Sequence, residues 1–291
     1  MKKFIFVIFI FILLTIGAGG WVLSHFHAAK NATHENTKAP QTKITIIEGW
    51  GIQDIAKNLD SDPNRTETPH LASAEEFLSL AKNFDVSGYP ILRSKPAEAS
   101  LEGFIFPDTY FLPLTAPSST TMSAILLKKS LDNFSKKFTP EMEQQASLKN
   151  MSVFQIVTLA SIIEKETGRN AVTEAQKKSL EEQRKIIAGI FYNRLRIGMP
   201  LDSDATINYI TKKNDPTPSA NDLATASAYN TYLNRGLPPG PIGNPSLSSL
   251  LAALYPAETN YLYFLHKQPS GEPVYSTTFE EHIKNKQKYL Q

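Results

Sequence analysis

Between Phe4 and Leu23 the chain runs for twenty residues without a charge, directly after Lys2 and Lys3. At helical rise such a stretch spans about 30 Å, the thickness of a bilayer's hydrocarbon core. The apolar region of a cleaved signal peptide is shorter, about 7 to 15 residues, and ends in a small-residue cleavage site. Ala28 and Ala29 offer only a weak one, so the segment reads as an uncleaved anchor. Residues 1–3 form a cytoplasmic tail, 4–23 a transmembrane helix, and the paired lysines send everything after Trp21 outward. The expected location is the cytoplasmic membrane, single-pass, with the bulk of the chain extracytoplasmic.

That bulk has the composition of a folded ectodomain. The 291 residues are 41% hydrophobic and 20% charged, with no cysteine and a net charge of +2. These values exclude a disordered polymer, a disulfide scaffold and a cysteine-ligated metal module. Balanced charge gives no footprint for nucleic acid.

Residues 24–42 are polar and aperiodic around Pro40 and read as a linker. Ile44 and Ile46 then alternate as a strand, and Ile52, Ile55, Ala56 and Leu59 take helical spacing. Ser61 to Pro69 is a polar break, after which Ser73 and Glu76 cap a helix. Residues 43–100 are therefore expected to be a small α/β unit, and 101–291 the larger domain. In the latter, helices are predicted from Met122 to Phe138, after Thr139-Pro140, and from the Ser152/Gln155 cap to a stop at Gly168. Another runs from the Thr173/Gln176 cap to Gly198. Tyr229 to Ser246 is Gly/Pro-rich and irregular, and a long loop between helices is usually functional. Strands at Tyr261–His266 and Pro273–Ser276 precede a helix capped by Thr277 and Glu280. The fold class is α+β, a mixed helical and strand ectodomain with a small N-terminal α/β unit, on one transmembrane helix.

No nucleophile elbow, phosphate-binding loop or dinucleotide fingerprint is present, and the six histidines lack metal-ligand spacing. Any catalysis rests on carboxylates, with no metal and no cofactor expected. The helix through Val153, Phe154, Ile156, Val157, Leu159, Ala160, Ile162 and Ile163 is apolar on most of its circumference, which marks it as buried. A carboxyl at its C-terminal end, among apolar side chains and at the negative pole of the helix dipole, should titrate high, as a general acid must. Glu164 and Glu166 both qualify. They lie about equally far to either side of the polar edge formed by Gln155, Thr158, Ser161 and Lys165, so helical geometry does not choose between them. The competing reading makes both of them surface carboxylates paired with Lys165 or Arg169.

Four phrases in order, GFIFPDTYFLP (103–113), ASIIEKETG (160–168), FYNRLRIGMPLDSDAT (191–206) and AYNTYLNRGLPPGPIGNPS (228–246), resemble the endolytic murein transglycosylases of the YceG-like family. The resemblance covers the chain from about Lys43 to its C-terminus. It implies cleavage of peptidoglycan glycan strands between N-acetylmuramic acid and N-acetylglucosamine, leaving 1,6-anhydromuramic ends. Nascent strands are the expected substrate and peptidoglycan synthases the candidate protein partners. The first glutamate of the EKE phrase, Glu164, is by the same implication catalytic. The chain departs from the family in having Ala205 where proline is usual. Only residues 24–42 separate the anchor from the first strand, so the LysM-like glycan-binding unit common in the family is absent or reduced to residues 43–100.

One acid suffices for such a reaction, because the nucleophile is the substrate's own C6 hydroxyl. Asn230, Tyr232 and Asn244 from the long loop are expected to line the groove, with Glu166 and Asp204 as secondary candidates. Asp108, Asp202 and Asp204 otherwise read as caps or loop braces. Two other functions remain open at this level. One is a muramidase-type hydrolase in which Asp202 or Asp204 assists water, and the other a non-enzymatic, membrane-tethered wall-binding protein.

Overall fold

The structure is a computed structural model and describes residues 41–61, 73–114, 120–168, 171–213, 215 and 217–290. The tail at 1–3, the anchor at 4–23, the linker up to Pro40 and nearly all of the break from Ser61 to Pro69 lie outside the described residues. Among the described residues no single helix is long and apolar enough to cross a membrane.

The elements are β1 (Gln41–Thr45), α1 (Ile52–Ser61), α2 (Ala74–Asn83), β2 (Thr109–Pro113), α3 (Met122–Lys137), α4 (Pro140–Leu148), α5 (Val153–Thr167) and α6 (Glu174–Arg196). After these come α7 (Asp204–Thr211), α8 (Ala220–Leu223), α9 (Leu247–Leu254), β3 (Tyr263–His266), β4 (Pro273–Ser276) and α10 (Phe279–Tyr289). The strand expected from Lys43 begins two residues earlier. Its partner β2 was not foreseen: the two run antiparallel with Ile44 opposite Tyr110. Tyr110 and Leu112 point inward from β2 as Ile44 does from β1, the period of two expected of a half-buried pair.

Helix α5 is the centre of the molecule. Every residue from Val153 to Glu164 except Gln155 is buried, as the apolar circumference requires. It packs against α4, α6, α7 and α9. Its start carries the expected capping box, in which Ser152 and Gln155 each satisfy the other's backbone N–H. Gly168 ends it at φ +67°, a conformation open mainly to glycine.

The boundary expected at residue 100 does not divide the core. Ile44, Ile55, Leu59 and Phe77 belong to the same buried cluster as Phe104, Ile156, Phe191 and Leu254. Phe104 links the two stretches, lying edge-on to Phe134 at 5.1 Å and stacked on Phe154 at 6.1 Å. The close approach fixes its neighbour: a Cβ on Gly103, at φ +90°, would meet Pro241 Cγ and Val157 Cγ1 at 2.6 Å. At the C-terminus β3 and β4 form an antiparallel hairpin on which α10 rests. The α10 capping box is Thr278 with Glu281, one residue beyond the expected pair.

Candidate active site

The last turn of α5 sends its two glutamates into different surroundings. Glu164 is 2% exposed. Its Oε1 accepts from Arg184 Nη2 on α6 at 2.9 Å. Its Oε2 accepts from Ser246 N at 3.0 Å, Ser246 Oγ at 2.5 Å and Ser249 Oγ at 2.7 Å. Arg184 continues to Thr167 Oγ1 at 3.2 Å and to the Gly168 carbonyl at 3.4 Å, satisfying acceptors at the α5 C-terminus. The expectation placed Glu164 among apolar side chains. The structure surrounds it with four donors from α6 and the start of α9. It joins three helices at the core.

Glu166 is half-buried at the same helix end. Ser203 Oγ donates to Oε1 in a short hydrogen bond, and the Ala205 backbone N–H donates as well. Burial pushes its carboxyl up to about 7, and the Asp204 carboxylate beside it acts in the same direction. The two hydrogen bonds and the Arg194 guanidinium pull the other way without prevailing. Ser203 is the N-cap residue of α7, with Asp204 and Ala205 in the first turn, so a helix N-terminus faces the carboxyl.

Three further groups complete the cluster. Tyr232 Oη donates to Asp204 Oδ1 at 2.6 Å, anchoring the long loop to α7. Arg194, on α6, lies 3.8 Å from Asp202 and donates to the Leu201 and Leu262 carbonyls at 2.5 and 2.7 Å. Burial raises the Asp202 carboxyl, opposed by Arg194. Glu166, Asp204 and Tyr232 are thus brought together.

Asn230 and Asn244 are not groove residues. Both are fully buried. Asn230 donates to the Leu223 and Thr225 carbonyls, each at 2.9 Å, and accepts from Tyr232 N at 3.0 Å, shaping the loop that presents Tyr232. Asn244 donates to the Trp50 carbonyl at 2.8 Å and accepts from Ile105 N at 3.0 Å, stitching the segment after β1 to the segment before β2. Asparagine satisfies backbone donors and acceptors together, which is what a buried irregular loop demands. Asp108 is a brace, as expected, receiving hydrogen bonds from Asn133 and Thr109 N.

Sequence reasoning passed over Glu102, Arg184, Arg194, Ser203, Ser246 and Ser249. Glu102 is buried and accepts from Ile52 N at 3.0 and 3.2 Å, and burial pushes its carboxyl up to about 7. Ser203 stood inside the LDSDAT phrase, between two aspartates weighed as acids. Arg184 and Ser249 carry no local signal, since they acquire their roles only through the packing of α6 and α9 on α5. Among the described residues no group of three histidine, aspartate or glutamate side chains could hold a metal ion.

A family comparison matches residues 3–288 to the YceG-like family. The endolytic murein transglycosylase of Bacillus subtilis strain 168 is 34% identical over 252 residues, covering 85% of this chain and 65% of that protein. The endolytic murein transglycosylase of Streptococcus pneumoniae serotype 2 is 33% identical over 274 residues, covering 88% of this chain and 46% of that protein. The chain therefore spans about half to two thirds of the length of these curated relatives. A crystal structure of a YceG-like protein from Listeria monocytogenes superposes with a TM-score of 0.67 at 29% identity, over 89% of this chain and 80% of that one.

Proposed function

The chain belongs to the YceG-like family, and from that premise we propose that it is a membrane-anchored endolytic lytic transglycosylase with Glu166, rather than Glu164, as its acid. The observation that carries the assignment is the contrast between the two carboxyls. One is enclosed by four donors, and the other is half-buried with its titration raised to about 7. A group poised near ambient pH can both give and take a proton in one turnover.

In this reading Glu166 protonates the glycosidic oxygen as the bond from that oxygen to the muramic acid C1 breaks. The sugar passes through an oxocarbenium-like state, and Asp204, held by Tyr232, supplies negative potential to it. The muramic C6 hydroxyl then bonds to C1 and its proton goes to the Glu166 carboxylate, which restores the acid. Water takes no part, and the new end is a 1,6-anhydro ring. Glu164 and Arg184 act at one remove by fixing the helix end from which Glu166 projects.

The anchor at Phe4–Leu23 would hold this site against nascent strands at the outer face of the cytoplasmic membrane, within reach of peptidoglycan synthases. The hydrolase reading keeps a specific observation in its favour, since Asp204 gives Glu166 a neighbouring carboxylate that could activate water. The experiment that tests the proposal is digestion of purified glycan strands by the full chain and by Glu166→Gln. Anhydro ends from the first and none from the second are expected. Cleavage by Glu166→Gln at the parent rate would refute the assignment of the acid.

A further inference from the structure

The C-terminal hairpin carries a feature that the reaction at Glu166 does not use. Tyr261 and Tyr275 stack with ring centroids 5.4 Å apart and planes 23° from parallel. Together with Thr277, Glu281, Lys284 and Asn285 they line a shallow, open pocket of about 390 Å3. Both rings are half-buried. Asn285 donates to Ser276 Oγ at 2.9 Å, which fixes its amide at the pocket wall. A wall of aromatic rings beside hydroxyl and amide groups offers what a pyranose needs: a flat apolar surface for its axial C–H face and polar partners for its hydroxyl and N-acetyl groups.

The pocket is tied to the catalytic cluster through one turn of α6. Asn193 Nδ2 donates to the Tyr261 carbonyl at 3.0 Å, and Arg194 Nε to the Leu262 carbonyl at 2.7 Å. The Arg194 guanidinium lies over the Tyr263 ring, 5.5 Å from its centroid, and the same charge acts on Glu166. Residues 261–263 are thus pinned to the helix turn that faces the acid.

We propose that the Tyr261–Tyr275 pocket is a secondary glycan subsite that binds a sugar ring of the strand away from the bond being cut. The proposal rests on the reading of Glu166 as the acid of a glycan-cleaving enzyme. A subsite of this kind favours internal positions on long strands, because a strand must extend past the acid to reach it. Binding there adds affinity for the strand as a whole without touching the reacting atoms.

The test uses the full chain in detergent carrying Glu166→Gln, titrated with linear N-acetylglucosamine–N-acetylmuramic acid strands stripped of stem peptides. Adding Tyr275→Ala or Tyr261→Ala is expected to weaken binding about three- to tenfold, the range of one aromatic contact. Tyr275→Phe should retain most of the affinity. If Tyr275→Ala lowers the melting midpoint, Thr277→Trp serves instead. It fills the pocket from its exposed rim and should weaken binding equally. Unchanged affinity in the folded variants, while the parent chain still produces anhydro ends, would overturn the subsite and leave the reading of Glu166 standing. A parent chain that leaves the strands uncut would overturn that reading and the subsite with it.

Discussion

Arg184 Nη2 lies 2.9 Å from Glu164 Oε1, with the two side chains 4% and 1% exposed, and the same guanidinium bonds to the residues that end α5. Removing one member of a buried ion pair leaves the other charged and without its partner, at a cost of about 3–5 kcal/mol. Glu164→Gln is therefore expected to destabilise the fold by that order, measured by urea unfolding. Glu166→Gln should leave the midpoint near the parent value, or higher, while cleavage falls by about 10² to 10⁴. The opposite pattern would return Glu164 to the role of acid.

The pH dependence of cleavage should follow Glu166. The first step needs its protonated form, so activity should decline as pH rises through about 7. Asp204→Asn removes a charge that raises the Glu166 titration and should move this decline to lower pH. Ala205→Pro removes a backbone N–H that lowers it and should move the decline to higher pH. The first turn of a helix needs no N–H from that residue, so α7 should survive the change. Profiles of kcat/KM for the three proteins decide this, and a decline that stays fixed in both variants would exclude Glu166 as the titrating group.

Stability should depend on pH in two opposite ways. Glu102 and Glu166 titrate near 7 in the folded chain and near the ordinary carboxylate value when unfolded. The native state binds more protons between those values, so both groups make stability fall as pH rises from about 4.5 to about 7. Asp222, paired with Lys213 and bonded to Ser219, is held down at about 2. Its contribution is present above its ordinary value and is lost as pH falls toward 2. Thermal midpoints should thus be highest in mildly acidic solution, and Glu102→Gln should flatten the decline toward neutrality.

Much of this architecture was legible because local rules carried it. Capping pairs such as Ser152 with Gln155 and Thr173 with Gln176 have a fixed spacing, and the apolar circumference of α5 announced its burial. β2 escaped because its partner lies more than sixty residues away, and nothing local marks a long-range pairing. Asn230 and Asn244 were misread for a related reason. A polar side chain in an irregular loop looks the same in sequence whether it faces a ligand or the loop's own backbone. The choice between Glu164 and Glu166 was undetermined by helical geometry, since it depends on which side of α5 receives α9 and which receives the start of α7.

Gly189 should prove as restrictive as any core side chain. A Cβ there would stand 2.3 Å from the Ala257 carbonyl oxygen, where α6 meets the segment after α9. That oxygen is backbone and cannot swing aside. Although alanine is the better helix former, Gly189→Ala is expected to destabilise by about 1–3 kcal/mol through overpacking, measured by chemical denaturation. A neutral or stabilising outcome would mean that the segment at Ala257 yields more readily than its backbone contact suggests.

Isotope labelling identifies the nucleophile directly. If the substrate's C6 hydroxyl attacks C1, digestion in heavy-oxygen water places no label at the new muramic end, and that end is lighter than one hydrolysed in ordinary water by one water, about 18 mass units. If Asp204 instead activates a water molecule, the anomeric carbon takes up one heavy oxygen and the end becomes reducible by borohydride. Asp204→Asn separates the two further. Under the intramolecular mechanism it lowers the rate and shifts the pH profile but leaves the product an anhydro sugar. Under hydrolysis it removes the base and should abolish turnover. Labelled ends from the parent chain would replace the lyase by a hydrolase acting through the same pair of residues.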